Sequence, residues 1–306
     1  MMRLRPVGIL TLALLSAGLT AGCGRTSAPP ASSDNAADAA AGAAVYNEYC
    51  GSCHNGGVYK APHRMFLAMM APDAIRASLD GIMATQASTL SDQQKNAVTE
   101  YLAGRSLASQ TINYPPPTCE VTDIDLDQPP RQHTWGIDFS NSRFQPAVSG
   151  GLTADNVAEL ELKWSFAYPN AIKARSQPTI AGGTLFVGSA SGTVYALDAR
   201  RGCIRWTFRA SAEVRTPVIV SDWETGDRGA TPRAYFGDIL ARAYAIDART
   251  GELLWMTKVD DHPNATITGA PVLVDDTLFV PVSSLEVVVA ADPAYACCTF
   301  RGSMVA

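Results

Sequence analysis

The stretch from Thr184 to Trp206 reads TLFVGSASGTVYALDARRGCIRW, and it decides the fold because it recurs. The stretch from Ala234 to Trp255 reads AYFGDILARAYAIDARTGELLW, with its Tyr, Asp, Gly and Trp each 49 residues after those of the first. A third copy begins at Thr277 with TLFV. Self-similarity at a fixed spacing of this size is typical of stacked structural units.

Each repeat alternates short runs of β-forming residues with turn residues, and its Asp-Ala-x-x-Gly segment predicts a tight turn before the last strand. Four short strands in about 45 residues are typical of a propeller blade. The aromatic rings of Trp164, Trp206 and Trp255 are expected to pack between neighbouring blades, because a large flat ring suits the face between two sheets. We assign no chemistry to these three residues.

A second motif lies upstream, where Cys50-Gly-Ser-Cys53-His54 has the order C-x-x-C-H. Two thiols in this spacing add to the vinyl groups of a haem, and the adjacent imidazole reaches the iron. A redox-active C-x-x-C is the alternative, but it leaves His54 unexplained. The motif therefore predicts haem c with Cys50 and Cys53 as attachment points and His54 as an iron ligand.

Helical patterns surround this motif. An Ala-rich segment over residues 39–49 favours a helix before the cysteines, and Ser91-Asp-Gln-Gln94 is a capping-box pattern that opens a helix ending near Gly104. This order of a helix, the haem motif and a closing helix resembles a small all-α class I cytochrome c domain. We assign this domain to residues 41–106.

The second iron ligand is expected to be a methionine. Met83 is favoured because it lies in a non-periodic loop before the last helix, where small cytochromes c of this type carry the axial Met. Met65, Met69 and Met70 are alternatives, although the last two lie in an apolar stretch and suit core packing. His63 is a competing ligand. A thioether ligand would raise the haem potential and make the domain an electron acceptor.

The first 23 residues read as an export signal: Arg3 and Arg5, an apolar run, and then Thr-Ala-Gly-Cys23. The end of this segment resembles a bacterial lipobox, which predicts lipidation of Cys23, with plain secretion as the alternative. The apolar run is shorter than the roughly 20 residues that cross a bilayer, so a retained membrane helix is disfavoured. A Gly/Ala/Ser/Pro-rich tether follows over residues 24–40. We expect a periplasmic protein that contacts the membrane through a lipid anchor only.

Composition sets broader limits. The chain has 306 residues, 47% of them hydrophobic, and a formal net charge of −5. This length indicates about two domains, and the negative charge argues against a nucleic-acid partner. A Pro-rich segment over residues 107–134, without a periodic apolar face, is assigned as the linker between a cytochrome domain and a propeller over residues 135–306.

The blade sequence resembles the signature of quinoprotein alcohol dehydrogenases that bind PQQ. Trp135-Gly-Ile-Asp138 and the stretch from Leu152 to Trp164 resemble their first blade. The domain order and the run Cys297-Cys-Thr-Phe-Arg-Gly302 are similar to the cytochrome-type polyvinyl-alcohol dehydrogenases. This resemblance implies an all-β, eight-bladed propeller, of which about three to four blades are present. The chain then looks C-terminally truncated, with the catalytic base expected beyond residue 306.

The resemblance implies a reaction and its cofactors. A secondary alcohol, polymeric or small, is oxidised to a ketone while PQQ takes the hydride and Ca²⁺ polarises the quinone. Electrons pass singly to the haem and then to a soluble cytochrome c or the respiratory chain. The alternative is a non-catalytic propeller scaffold with a tethered electron-carrier cytochrome, and cofactor dependence separates the two.

The resemblance also implies residues for the quinone site. PQQ carries three carboxylates, so Arg175, Arg215 and Arg301 are candidate ligands. A vicinal Cys297–Cys298 disulfide is expected to pack on the quinone, as in related alcohol dehydrogenases.

Two further expectations concern cysteines and acids. With Cys23, Cys50 and Cys53 assigned, four cysteines allow three pairings, and we expect Cys297 with Cys298 and Cys119 with Cys203. Asp138 and Asp238 are candidate acids, but Asp is commonest in turns, so a structural role is favoured for both.

Overall fold

The structure is a computed structural model that describes residues 33–107, 116–132, 135–171 and 173–306. The predicted export signal and Cys23 lie outside the described residues. Within those ranges, no helix is both long enough and apolar enough to cross a membrane.

The N-terminal part is helical. Its elements are α1 (Ser33–Val45), a π-helical turn (Tyr46–Cys50), α2 (Gly51–His54), α3 (Arg64–Leu67), α4 (Pro72–Asp80) and α5 (Asp92–Ala103). α1 packs against α5 at Gly42, where a Cβ atom would collide with Ala97 O and the Tyr101 side chain. A glycine is therefore required for the two helices to approach this closely. This confirms a small all-α domain around the C-x-x-C-H motif.

Helix α5 begins and ends as its sequence predicts. The Ser91 hydroxyl accepts a hydrogen bond from Gln94 N, and the Gln94 side chain accepts one from Ser91 N, which together form a capping box. Gly104 ends the helix with a φ of 65°, a left-handed conformation that glycine adopts without strain. Val98 and Leu102 point into the domain core.

Two complete antiparallel sheets follow in the repeat region. The first contains β1 (Thr179–Ala181), β2 (Thr184–Gly188), β3 (Thr193–Asp198) and β4 (Ile204–Arg209), and the second contains β5 (Ile219–Val220), β6 (Arg233–Gly237), β7 (Arg242–Asp247) and β8 (Leu253–Lys258). In each sheet the strands pair in chain order. The outermost pairs, β3 with β4 and β7 with β8, carry a register shift at the same repeat position. These are the predicted blades.

A third four-stranded sheet comes last, and its strands do not pair in chain order. It contains β9 (Ala265–Thr266), β10 (Val272–Val274), β11 (Thr277–Ser284) and β12 (Ser303–Val305), with a short helix α7 (Glu286–Val289) between β11 and β12. The long central strand β11 pairs with all three others. The excursion through α7 lengthens this repeat relative to the two before it.

The repeated tryptophans connect successive units. Trp164 Nε1 donates to Ala199 O, and Trp206 Nε1 donates to Ala248 O, each at a distance of 3.2 Å. The ring of Trp206 covers Gly251, whose φ of 77° and lack of a Cβ leave room for the ring. Trp164 and Trp206 thus pack on the Asp-Ala-x-x-Gly turn of the next sheet, which confirms the inter-blade role for these two. Trp255 is 38% exposed and packs beside Tyr235 of its own sheet.

The segment that resembles a first blade does not form one in the described residues. Over residues 135–171 the structure has only α6 (Ala147–Gly150) and a 3₁₀ turn (Val157–Glu159). Leu160 and Leu162 are 63% and 86% exposed. The reason is that no described strand offers hydrogen bonds to this segment, and only its last part, with Trp164, Phe166 and Tyr168, packs against the first sheet.

The segment assigned as a linker packs against the sheets. Ile124 and Leu126 are buried in the same core as Trp223, whose indole N–H donates to Leu126 O at 2.9 Å. Upstream, Cys119 forms a disulfide with Cys203 beside β4. The sequence analysis finds no periodic apolar face here because two alternating side chains are too short a pattern. The described part of this linker is therefore a strap on the propeller.

The helical domain rests on one end of the sheets. Ala212, Ile239 and Leu240, from loops between strands, belong to the same hydrophobic cluster as the core of that domain. Ion pairs lie at the edges of the contact: Lys60 Nζ to Asp261 at 2.6 Å and Arg209 to Asp73 at 2.8 Å. The contact brings the C-x-x-C-H domain to the end of the propeller where the candidate arginines lie.

Candidate functional sites

The haem motif lies on consecutive helical turns. Cys50 ends the π-helical turn, whereas Cys53 and His54 lie on α2, and both thiols are free and half-exposed. Burial raises the pKa of the Cys50 thiol, and the neighbouring Cys53 adds to this effect. The two sulfurs are thus available for attachment to one prosthetic group.

The imidazole of His54 is held in one orientation. It is 8% exposed, and its Nδ1 donates to Pro62 O over 2.7 Å, because a carbonyl can only accept. This hydrogen bond fixes the tautomer and leaves Nε2 free to bind a metal, as is usual for metal-binding histidines. The donor set of two free thiols and one oriented imidazole fits haem c.

The candidate second ligands differ in their surroundings. Met83 is half-buried against the domain core, in the loop that follows α4. Met70 is a core residue at 4% exposure, whereas the Met69 sulfur lies 3.7 Å from Arg215 Nη2. Met65 is half-buried at α3. Met83 remains the predicted ligand, since Met69 and Met70 have other contacts.

His63 has a structural role in α3. Its Nδ1 accepts a hydrogen bond from Met65 N, 3.4 Å away, which caps the helix. Burial lowers the pKa of His63, with the Asp292 carboxylate opposing that shift. Because Nδ1 accepts here, the neutral ring carries its proton on Nε2, unlike His54, and this makes His63 a weaker candidate ligand.

Arg175 and Arg215 come together on a residue that the sequence analysis missed. Arg175 Nη1 donates to Glu213 Oε1 at 2.8 Å, and Arg215 Nη2 donates to Glu213 Oε2 at 3.0 Å. The Glu213 side chain is only 4% exposed. Its sequence signal is slight, because it is only an acidic residue two positions before Arg215 and six positions before β5.

This cluster has the character of an anion site. Two guanidinium groups and one carboxylate leave a net positive charge, and the Nε atom of Arg215 is buried with no hydrogen-bond partner in the described structure. A buried donor without an acceptor is costly, so an incoming carboxylate would be stabilised here. Arg175 and Arg215 therefore fit a ligand that carries carboxylates, as PQQ does.

The other predicted quinone residues lie on the loop before β12. Cys297 and Cys298 form a disulfide. Arg301 is exposed, and its guanidinium donates to Cys298 O and Phe300 O, within its own loop. The structure thus joins Arg175 with Arg215 but directs Arg301 to its own backbone.

A second buried polar cluster lies near the haem domain. His262 Nδ1 accepts from Asn264 N at 3.1 Å, so its Nε2 carries the proton and donates to Thr299 Oγ1 at 2.9 Å. Glu286, 5% exposed, accepts from Tyr295 Oη and from the Thr299 amide. Burial alone would raise the pKa of Glu286, but these hydrogen bonds outweigh it and lower that pKa. The sequence analysis assigned no role to these residues.

The two candidate acids occupy turns. Asp238 is fully buried, and its carboxylate accepts hydrogen bonds from Leu240 N, Arg242 N and Tyr244 Oη. Burial raises the pKa of Asp238 despite these donors. Asp138 is exposed and accepts from the Ser140 hydroxyl. Both positions agree with the structural role favoured above.

A cation site is not evident among the described residues, since no group of three or more His, Cys, Asp or Glu side chains is close enough to hold a metal ion. We therefore assign no residue and no step to Ca²⁺.

Comparison with family models divides the chain in the same way as the structure. Residues 126–294 match the PQQ_2 model, described as "Outer membrane protein assembly factor BamB". Residues 37–102 match a model described as "Cytochrome C oxidase, cbb3-type, subunit III".

Two similar relatives share both parts. The polyvinylalcohol dehydrogenase of a Pseudomonas species is 39% identical over 281 residues, which are 87% of this chain and 43% of that protein. The polyvinylalcohol dehydrogenase of Sphingopyxis sp. strain 113P3 is 31% identical over 287 residues, 88% of this chain and 43% of that protein. The chain thus spans less than half the length of these relatives.

One solved structure that aligns with part of this chain is the quinohemoprotein alcohol dehydrogenase from Comamonas testosteroni. It aligns with a TM-score of 0.41 and 24% identity, over 52% of this chain and 24% of that chain.

Proposed function

We propose that this chain is the haem-bearing part of a PQQ-dependent alcohol dehydrogenase. The chain belongs to the PQQ_2 repeat family and has a cytochrome c domain before the repeats. The substrate would be a secondary alcohol of the polyvinyl-alcohol type, oxidised to a ketone. The names of the two relatives support this substrate class.

One observation carries the proposal. The C-x-x-C-H domain packs on the end of the propeller that holds the anion site, and the Met69 sulfur lies 3.7 Å from Arg215. A simple electron carrier on a flexible tether would not need this contact. A haem that takes electrons from a bound quinone would, because electron transfer requires that the two groups lie close together.

The chain's own residues would act in binding and orientation. Arg175 and Arg215 would hold the quinone carboxylates, while Cys50 and Cys53 would attach the haem and His54 and Met83 would bind its iron. When bound, PQQ supplies a two-electron hydride acceptor and the haem a one-electron acceptor. The packed interface between the helical domain and the sheets would exclude water from the space between them.

Further parts of the proposal rest on the sequence resemblance alone. They are a requirement for Ca²⁺, export to the periplasm with a lipid on Cys23, and transfer of electrons to a soluble cytochrome c or the respiratory chain.

The test is reduction of the haem, followed by its visible absorption. The chain, and its reading frame extended past Ala306, are each mixed with PQQ, Ca²⁺ and either polyvinyl alcohol or a small secondary alcohol. Reduction that needs both PQQ and alcohol supports the proposal. Arg215→Gln should lose it, whereas Arg228→Gln, which removes an exposed ion pair with Asp127, should not.

A second candidate function is favoured by the description of the matching repeat model. In that case the propeller is a non-catalytic scaffold and the haem a tethered electron carrier. Haem that is present but unaffected by PQQ and every secondary alcohol, in both forms of the chain, would favour this function instead.

A further inference from the structure

Glu213 is fixed by its backbone from two sides. The amide of Ile239, in the turn between β6 and β7, donates to Glu213 O at 3.0 Å. The next amide, Val214 N, donates to Ser189 O in the turn between β2 and β3 at 3.1 Å. Glu213 therefore sits between the two complete sheets, and its carboxylate has little freedom to move.

The two arginines that Glu213 binds are less constrained than Glu213 by their surroundings. Arg175 comes from an irregular segment before β1 and is 40% exposed, whereas Arg215 precedes β5 and is 16% exposed. Each binds a different oxygen of the same carboxylate. Without that carboxylate, two like charges would repel each other and both side chains would regain their rotamer freedom.

Arg215 also touches the haem domain. Its Nη2 atom binds Glu213 Oε2 and lies 3.7 Å from the Met69 sulfur, while its buried Nε has no partner. One guanidinium thus contacts the fixed carboxylate and the haem domain, and its Nε–H is unpaired in the described structure.

We propose that Glu213 is a positioning residue that holds Arg175 and Arg215 as one preorganised carboxylate-binding pair. This inference rests on the proposed function, because it takes a carboxylate of PQQ as the ligand of the pair. Glu213 acts only through the arginines and touches neither the quinone nor the alcohol. A fixed pair binds better than two free side chains because less conformational entropy is lost on binding.

The first experiment measures the affinity of the haem-loaded chain for PQQ by equilibrium dialysis. Glu213→Gln keeps the size of the side chain and removes its charge, and it should weaken binding about tenfold. Glu224→Gln, an exposed residue in a loop, is the matched control and should bind as the unmodified chain does.

A double-mutant cycle separates positioning from a general loss of stability. Arg175→Gln should weaken binding about tenfold alone, but less than about threefold when Glu213→Gln is already present, because the two residues act as a unit. Unchanged or tighter binding in Glu213→Gln, or full additivity of the two changes, would overturn the proposal and leave Glu213 as a simple counter-charge.

A second measurement needs no quinone. Modification by phenylglyoxal, mapped by mass spectrometry, should be faster at Arg215 in Glu213→Gln than in the unmodified chain, and equal rates would contradict the positioning role. If Arg215→Gln leaves PQQ affinity unchanged, the pair is not the binding site and the inference fails. Alcohol-dependent haem reduction in the extended chain decides the proposed function separately.

Discussion

The haem domain and the paired sheets build their sites in opposite ways. In the haem domain the two thiols and the imidazole are within five consecutive residues, and a single carbonyl, Pro62 O, orients the ring. In the sheets, Arg175 and Arg215 are 40 residues apart in sequence and meet only through Glu213. One site is local in the sequence, and the other exists only after two sheets have packed together.

This difference determines how far the effect of a substitution extends through the structure. A change at a local site should alter the haem and little else, because the helices that present it form their own core. A change between sheets should disturb every residue that depends on their relative position. The predictions below test that distinction.

The largest effect is expected at the contact between sheets. Trp206 is 8% exposed and bonds to the next sheet, whereas Trp255, at the same repeat position, is 38% exposed. Trp206→Ala should lower the free energy of unfolding by about 3–5 kcal/mol, and Trp255→Ala by about 1 kcal/mol. Urea denaturation followed by tryptophan fluorescence measures both, and equal losses would mean that the two positions are equivalent in solution.

The next effect is expected at the iron and should stay local. Met83→Leu removes the predicted thioether ligand and should lower the haem midpoint potential by on the order of 0.1 V, a fraction of the roughly 0.8 V that axial ligands span. Met69→Leu and His63→Ala should leave the potential nearly unchanged. Potentiometric titration checks all three, and a large drop in either control would move the ligand to that residue.

The smallest effect depends on pH. The pKa of Glu286 is lowered in the folded protein by hydrogen bonds that outweigh burial, so its stabilisation is present above the unfolded pKa and is lost as pH falls through the folded value. Glu286→Gln should lower the unfolding free energy by about 1–2 kcal/mol at pH 7 and by less in acid. Denaturation at a series of pH values measures this, and a constant difference would show that charge is not the cause.

Local signals predicted much of the fold. The capping box of α5, the C-x-x-C-H motif and the turns that receive Trp206 are each contained in short patterns, and the structure has them where expected. The tryptophan spacing predicted the contacts of Trp164 and Trp206, because each of these two rings meets the same turn one repeat later.

Other features required contacts that no pattern encodes. Glu213 and Glu286 are buried acids that each have a partner distant in the sequence, Arg175 and Tyr295, and the amino-acid type alone suggests an exposed side chain. The strap through Ile124 and Leu126 has too few apolar positions to reveal a buried face. The stretch before Trp164 resembles a blade but lacks a described strand partner, which shows that a strand motif without a neighbour does not make a sheet.

The disulfide between Cys119 and Cys203 imposes an order on biosynthesis. The proposed haem attachment would consume Cys50 and Cys53 as reduced thiols, whereas the strap needs two other cysteines of the same chain to be oxidised. If Cys50 or Cys53 were oxidised first, either could exchange with Cys119 or Cys203, and the chain would then lack both the Cys119–Cys203 disulfide and the haem. A new host should therefore supply haem-attachment machinery together with the oxidant, since an oxidising compartment alone would also oxidise Cys50 and Cys53.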